Sequence, residues 1–320
     1  MLGLATAILA ITPLWRATVT ARHLPTQLQT AFGETNSIAR SQIPSRSQPL
    51  AARDLLLGVN FSSVNFSRLI YARRDAQDLR LDFYQALNFS QPAPCVIIIH
   101  GGSWRSGDSQ QLAPLNSYLA ARGYAVAAIN YRLAPQWRFP AARDDVIAAL
   151  DYLKAHADSL GLDPQRFVLL GRSAGGHLAL LAAYTQRDPA IRGVISFYGP
   201  TDLYWSYANP GNPLVIDTHD ILKAFLGGSP DEVPAQYDAA SPIRFVEANT
   251  PPTLLIHGGR DELVSIRQSE RLAERLTQSH VPHFLLSLPW ATHAGDFNFS
   301  GPVGQMSTYA VEKFLQAVMR

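Results

Sequence analysis

The sequence predicts an α/β protein built on a mostly parallel, doubly wound sheet with helices on both faces. Three observations carry this. From about residue 80, short apolar runs alternate with amphipathic segments, the pattern of strands joined by crossover helices. The run Cys95–His100 (CVIIIH) is apolar at every position before the histidine, as a strand buried on both faces requires. Residues 201–250 then interrupt the alternation with many Pro, Gly and aromatic residues. In such a sheet an insertion of this kind lies over the strand C-termini, where ligands bind.

The elements follow in order. Leu81–Leu87 reads as a strand, Cys95–His100 as the buried strand, Leu112–Arg122 as a helix and Tyr124–Tyr131 as a strand. Ala141–Leu160 reads as one long helix, with Val146, Ala149, Leu150 and Leu153 on one face. Arg166–Leu170 reads as a buried strand, Ala174–Thr185 as a helix, and Val194–Tyr198 and Thr253–His257 as strands. Ser265–Ser279 is a charged helix, Phe284–Leu288 a strand and Thr308–Met319 a closing helix. No internal repeat of fixed period appears. The chain has 320 residues, 47% of them hydrophobic, enough for one large core or two small ones.

Residues 1–60 read as a unit apart from the domain at 61–320. Residues 1–15 (MLGLATAILAITPLW) carry no charge. As a helix they would span about 22 Å against a bilayer core of about 30 Å, and Pro13 is expected to shorten them further. Three readings stand open: an interfacial or membrane anchor, a helix packed on the domain, or the remnant of a longer segment. Residues 16–50, rich in Arg, Ser, Thr and Gln without a clear period, read as a linker or loosely docked arm. Localisation is accordingly expected at a membrane through residues 1–15, or otherwise in the cytoplasm.

Charge narrows the partners. The net charge is +2, and residues 1–60 alone hold five Arg against two acids. The main domain is therefore nearly neutral, with no basic face for nucleic acid. A single cysteine, Cys95, excludes an internal disulfide and a CxxC site. No His, Cys, Asp or Glu cluster has metal-ligand spacing, and no Walker or dinucleotide fingerprint is present, so neither metal nor cofactor is expected.

Gly171-Arg172-Ser173-Ala174-Gly175 fits G-x-S-x-G between the strand RFVLLG and the helix that follows. A serine on that sharp turn projects its hydroxyl above the sheet, and the flanking glycines remove Cβ atoms that would clash. It is the candidate nucleophile. Upstream, His100-Gly101-Gly102-Ser103-Trp104 follows the buried strand. A tetrahedral oxyanion needs two or three aimed N–H donors, and glycines let a backbone approach it. Gly102 and Ser103, with Gly101 as alternative, and Ala174 are the candidate donors. His100 reads as ordering the loop.

HGGSW, NYRLAP (130–135), FPAARDD (139–145), GRSAGG (171–176) and HGGRDELV (257–264) stand in one order. In this the chain resembles α/β-hydrolase carboxylesterases of the hormone-sensitive-lipase-like and bacterial feruloyl- or acetyl-esterase-like groups, over roughly residues 80–320. The resemblance implies the α/β-hydrolase fold with a short lid-like insertion at 201–250. It also implies a serine hydrolase of small or medium acyl esters. Three departures are visible. Ser103 replaces the third glycine of the family's loop. Arg172 stands where an acid commonly precedes the serine, which leans toward the feruloyl-esterase-like side. His293-Ala294-Gly295-Asp296-Phe297 replaces the usual His-Gly-Phe.

The fold's chain order is Ser, acid, His. His293, after the last strand and near the C-terminus, is the candidate base. His177 lies one helical turn beyond Ser173 and reads as a core histidine, while His280 and His283 read as solvated. For the acid, Asp261 matches the resemblance and sits on a turn after TLLIH, with Val264 expected to begin the next helix. Asp202 also satisfies the order, but a helix cap is its more ordinary role. Glu262 would point away. Trp104, Tyr204, Trp205 and Tyr207 are expected around the mouth, as lid packing or as a pocket. Arg132 with Asp144 or Asp145 reads as a network holding NYRLAP. Two further functions remain beside the esterase: an amide or formamide hydrolase with the same residues, and a non-catalytic binding protein of this fold.

Overall fold

The computed structural model describes residues 2–34 (side chains from Trp15), 45–59, 64–85 and 92–320. Helices α1 (Leu2–Phe32) and α2 (Ala52–Leu57) precede the hairpin β1 (Asn65–Arg74) and β2 (Gln77–Gln85). Next come β3 (Ala93–Ile99), α3 (Ala113–Ala120), β4 (Ala125–Ile129), α4 (Ala141–Ala155), α5 (Ala157–Leu160), β5 (Leu162–Arg172), α6 (Ala174–Gln186) and β6 (Ile191–Phe197). The insertion holds α7 (Leu203–Ala208), α8 (Thr218–Leu226) and α9 (Pro234–Ala239). The chain closes with β7 (Thr253–Gly258), α10 (Arg267–Gln278), β8 (His283–Leu288) and α11 (Pro302–Val318).

The eight strands form one sheet in the order β1-β2-β4-β3-β5-β6-β7-β8. Pairing is antiparallel from β1 through β2 to β4 and parallel across the rest. A core lies on each face. Cys95, Ile97 and Ile99 of β3 enter one with α4, α6 and α10, while Val96 and Ile98 enter the other with α1, α3 and α11. The period of two in a wholly apolar run is what a strand buried on both faces produces.

Several boundaries differ from the sequence reading, each for a physical reason. Strand β1 is an edge strand exposed at most positions, and its short apolar run, 69–72, is flanked by arginines, so it stands out little in the sequence. Of the expected strand 81–87, the last two residues lie outside the described residues. The helix expected over 141–160 stops at Ala155, and α5 resumes before Gly161 closes it in the left-handed conformation. Helix α11 begins six residues before Thr308, at Pro302, whose fixed φ suits a first helical turn.

The larger correction concerns the arm. The backbone is helical from Leu2 through Pro13 to Phe32, and residues 16–32 are neither linker nor loose. Ala17, Ala21, Leu24 and Leu28 are buried, at spacings of four, three and four that put them on one helical face. They join the core of α3 and α11, and the Phe32 ring meets Phe314 edge-on at 4.8 Å. The stripe is half alanine, which is why hydropathy alone hid it. Beyond it, Arg46 N–H donates to Glu312 (2.9 Å) and Ala51 N–H to Gln305 (2.7 Å), both on α11. No helix of the described residues is long and apolar enough to cross a membrane.

Docking of α1 predicts a stability effect. Leu24→Ala should destabilise the protein by about 2–5 kcal/mol in urea unfolding. Trp15→Ala, at a side chain 63% exposed, should change it by no more than about 0.5 kcal/mol. Equal, negligible effects would show that the helix lies outside the cooperative unit.

Candidate active site

Ser173 is the single residue between β5 and α6, at φ 51° and ψ −120°. That is a sparsely populated conformation for a residue with a Cβ, and it persists only where surroundings impose it. Here they do. A Cβ on Gly171 would lie 2.1 Å from Gly175 O, and one on Gly175 would lie 2.1 Å from Ile99 O. The turn is thus wedged against the end of β3. Ser173 N–H donates to Phe197 O (2.9 Å), and its own carbonyl accepts from His177 N–H (3.0 Å).

The His100–Trp104 loop lies against this turn. A Cβ on Gly101 would stand 3.3 Å from Ser173 Cβ. Gly102, Ser103 and Trp104 all have positive φ, at 117°, 54° and 58°. The His100 ring stacks on Tyr131 (4.2 Å) with Nδ1 2.8 Å from Gly101 O, and Tyr131 donates to His100 O. Burial lowers the pKa of His100, so it orders the loop as a neutral ring. Gly101 N–H donates to Gln111 Oε1 at 2.7 Å. That removes Gly101 from the candidate oxyanion donors and adds Gln111 as a loop anchor that the sequence did not reveal. Gly102, Ser103 and Ala174 remain, and Ser103 and Ala174 line the same cavity as Ser173.

His293, on the loop after β8, places Nδ1 2.7 Å from Asp261 Oδ2. The Asp261 side chain is fully buried. Its Oδ1 accepts from Leu263 and Val264 N–H, both at 2.9 Å, and its Oδ2 also meets His257 Nε2 at 3.3 Å. Burial alone would raise this carboxyl's pKa. Hydrogen bonds from His257 and His293, the His293 charge and the Val264 N–H outweigh it and hold the group well below the usual carboxylate range. His257 itself bridges Val264 O through Nε2 (2.9 Å) and Ser269 Oγ through Nδ1 (2.7 Å). The Val264 carbonyl can only accept, so Nε2 carries a proton. The sequence did not single out His257 as a partner of the acid. Val264 does not open the next helix; α10 begins at Arg267, so the acid sits on a longer turn.

The rivals are engaged elsewhere. Asp202 Oδ1 caps α7 by accepting from Trp205 N–H (3.0 Å), and Oδ2 pairs with Arg271 (2.8 Å). Glu262 Oε2 accepts from Asn212 on the insertion. His177 is fully buried between Ala240 O (2.7 Å) and Trp104 Nε1 (3.2 Å), and burial pushes its pKa down to about 4. Arg132 pairs with Asp145, not Asp144, which binds Arg143. Ser173 Oγ makes no hydrogen bond within the described residues, so the serine–histidine contact is open here; such contacts commonly tighten only with substrate bound.

A cavity of about 60 Å³ opens onto Ser173. Trp104 and Trp205 line it together with Ile216, Ile221 and Leu222 of the insertion. Tyr204 and Tyr207 do not. Tyr204 donates to Pro234 O and packs on Tyr237, and Tyr207 packs on His219, so both brace the insertion from behind. Among the described residues no His, Cys, Asp or Glu group could hold a metal ion.

The BD-FAE family model matches residues 81–276, which spans the loop after β3, the serine turn and the acid. The chain belongs to the BD-FAE family. Curated relatives include the probable carboxylic ester hydrolase LipM of Mycobacterium tuberculosis, 33% identical over 72% of this chain and 56% of its own. Esterase LipC of the same organism is 32% identical over 80% of this chain and 66% of its own. The match thus spans between about half and two-thirds of these relatives. Among solved structures, the Bacterial Heroin Esterase superposes with a TM-score of 0.71 at 27% identity, over 83% of this chain and 88% of that one. The fold is that of the α/β hydrolases. Within this BD-FAE chain, two of the three departures read from the sequence meet: Arg172 and Asp296 form a buried ion pair at 2.6 Å.

The two acids separate by experiment. Asp261→Asn should lower kcat on an activated ester by about 10⁴, with a melting temperature within about 4 °C of the parent. Asp202→Ala should remove a cap worth about 1 kcal/mol and leave kcat within tenfold. The opposite pattern would reassign the acid.

Proposed function

We propose that the protein is a serine carboxylic-ester hydrolase that works through an acyl-enzyme. The observation that carries this reading is the strained Ser173 turn facing a cavity, with an Asp261–His293 hydrogen bond of 2.7 Å on the neighbouring loops. Asp261 accepts a hydrogen bond from His293 Nδ1–H and so leaves Nε2 as the proton acceptor. Ser173 Oγ attacks the ester carbonyl as Nε2 takes its proton. The negative charge then develops on the carbonyl oxygen, beside the N–H groups of Gly102, Ser103 and Ala174. Each aimed donor of this kind is typically worth about 2.7–4 kcal/mol of barrier. The imidazolium returns its proton to the leaving alcohol, Asp261 stabilises it meanwhile, and water clears the acyl group by the same steps.

The apolar lining supports small or medium acyl esters. Walls of Trp205, Ile216, Ile221 and Leu222 offer no charge to a substrate, and about 60 Å³ accommodates a chain of a few carbons by the measure in which one water needs about 10–15 Å³. Near the N-terminus, the uncharged residues 1–15 and the exposed Trp15 support contact with a lipid surface. Full-length protein should then co-sediment with phosphatidylcholine vesicles, and a chain lacking residues 1–15 should not; equal behaviour would remove that contact.

Ser173→Ala should cost about 10⁴ or more in turnover of a short-chain p-nitrophenyl ester, with an unchanged circular dichroism spectrum. A fluorophosphonate should label the parent and not the variant. Residual activity within tenfold would sink the reading. Turnover of anilides in preference to esters would turn it toward amide hydrolysis, and labelling without turnover of either toward binding alone.

A further inference from the structure

Arg172 directly precedes the serine, and Asp296 follows His293 by three residues. Their side chains, 5% and 4% exposed, meet at 2.6 Å. The second carboxylate oxygen of Asp296 accepts from the Tyr198 hydroxyl, also at 2.6 Å. Tyr198 follows the end of β6 and has positive φ, 41°. Its ring lies 4.3 Å from the His293 ring, and its N–H donates to Ile256 O on β7. The Arg172 guanidinium also sits 4.7 Å over Phe197, whose carbonyl accepts from Ser173 N–H. The end of β5 and the loops after β6 and β8 are therefore joined by one buried polar network.

We propose that Arg172, Asp296 and Tyr198 are positioning residues that hold the His293 ring in register with Ser173. The inference rests on the reading of Ser173 and His293 given above. A buried ion pair is weak support for stability as such, since apolar residues of like volume often serve as well. What a paired charge adds is a fixed geometry, because Arg offers donors in a rigid fork and a lone buried charge is costly. The His293 loop needs such a fix. It has no long regular element: Ala294 stands at φ 59° and a single 3₁₀ turn, Gly295–Phe297, carries Asp296. Tyr198 completes the link, with its hydroxyl fixed by Asp296 and its ring set against His293. The two departures of this sequence, a base before the serine and an acid after the histidine, thus compensate one another across the site.

The test compares Asp296→Asn, Tyr198→Phe, Arg172→Lys and the double variant Arg172→Met with Asp296→Leu, reading kcat, KM and melting temperature on one short-chain ester. A misplaced catalytic group costs up to about 10²-fold. Asp296→Asn and the double variant should therefore lose about 10- to 100-fold in kcat, with KM within about twofold. Arg172→Lys should retain more activity than the double variant. The double variant, with no lone charge left, should recover the parent's melting temperature and not its kcat. Recovery of both together would show a purely structural pair and overturn the proposal. Tyr198→Phe keeps the ring and loses only the hydroxyl, so it decides the matter should the others fail to fold: an unchanged kcat overturns the positioning role. Activity of the parent that does not depend on Ser173 would overturn the underlying reading; with that dependence present, these variants speak to the network alone.

Discussion

The contact of backbone on backbone at the β5–α6 turn is the constraint on which the rest of this site depends. Gly175 packs so closely on the end of β3 that a methyl group would overlap the carbonyls of Ile99 and His100. Helix α6 therefore starts directly over the strand that feeds the His100–Trp104 loop. From that closeness follow the strained φ of Ser173, the approach of Gly101 to its Cβ, and the nearness of two backbone N–H sources. None of this needs a side chain at positions 171 or 175. It needs that none be present.

Two sets of polar groups around the turn are buried with their partners. Asp261 receives hydrogen bonds from two backbone N–H groups and meets two histidine rings. His177 takes Trp104 on one nitrogen and a carbonyl on the other, which fixes the indole that lines the cavity. Trp104 then stacks on Phe225 of α8 at 4.4 Å, so the insertion is tied to the loop it covers. In a low-dielectric interior an unpaired member of any such set would be costly, so each set admits one arrangement. Rigidity near the chemistry is the consequence.

The same logic accounts for the N-terminal helix. Its buried face is Ala17, Ala21, Leu24 and Leu28, which fills the groove beside α11 without demanding much volume. Polar ties from residues 46 and 51 to Glu312 and Gln305 hold the chain that follows. Arg122 and Tyr118 complete the partners of buried Glu312, whose pKa burial raises against their opposing pull.

What was legible in the sequence was whatever rests on local chemistry. A wholly apolar strand, two glycines around a serine after a strand, and a histidine past the last strand all announce themselves, because their requirements are met within a few residues. The fold class, the family and the position of the insertion followed from the same signals, while the strand order came from the structure. Tertiary structure alone decided matters that depend on what a group meets at long range. Gln111 takes the Gly101 N–H across a loop, Asp202 is occupied by Arg271 sixty-nine residues away, and His257 stands beside Asp261. Tyr204 and Tyr207 turn from the cavity because α9 offers them partners. Edge strand β1 and the alanine-rich face of α1 were silent for a related reason: an edge carries little apolar signal, and alanine is apolar enough to pack yet too small to mark a face. Arg172 and Asp296 could each be seen to depart from the family pattern. That they answer one another is a property of distance, which a one-dimensional string of residues does not contain.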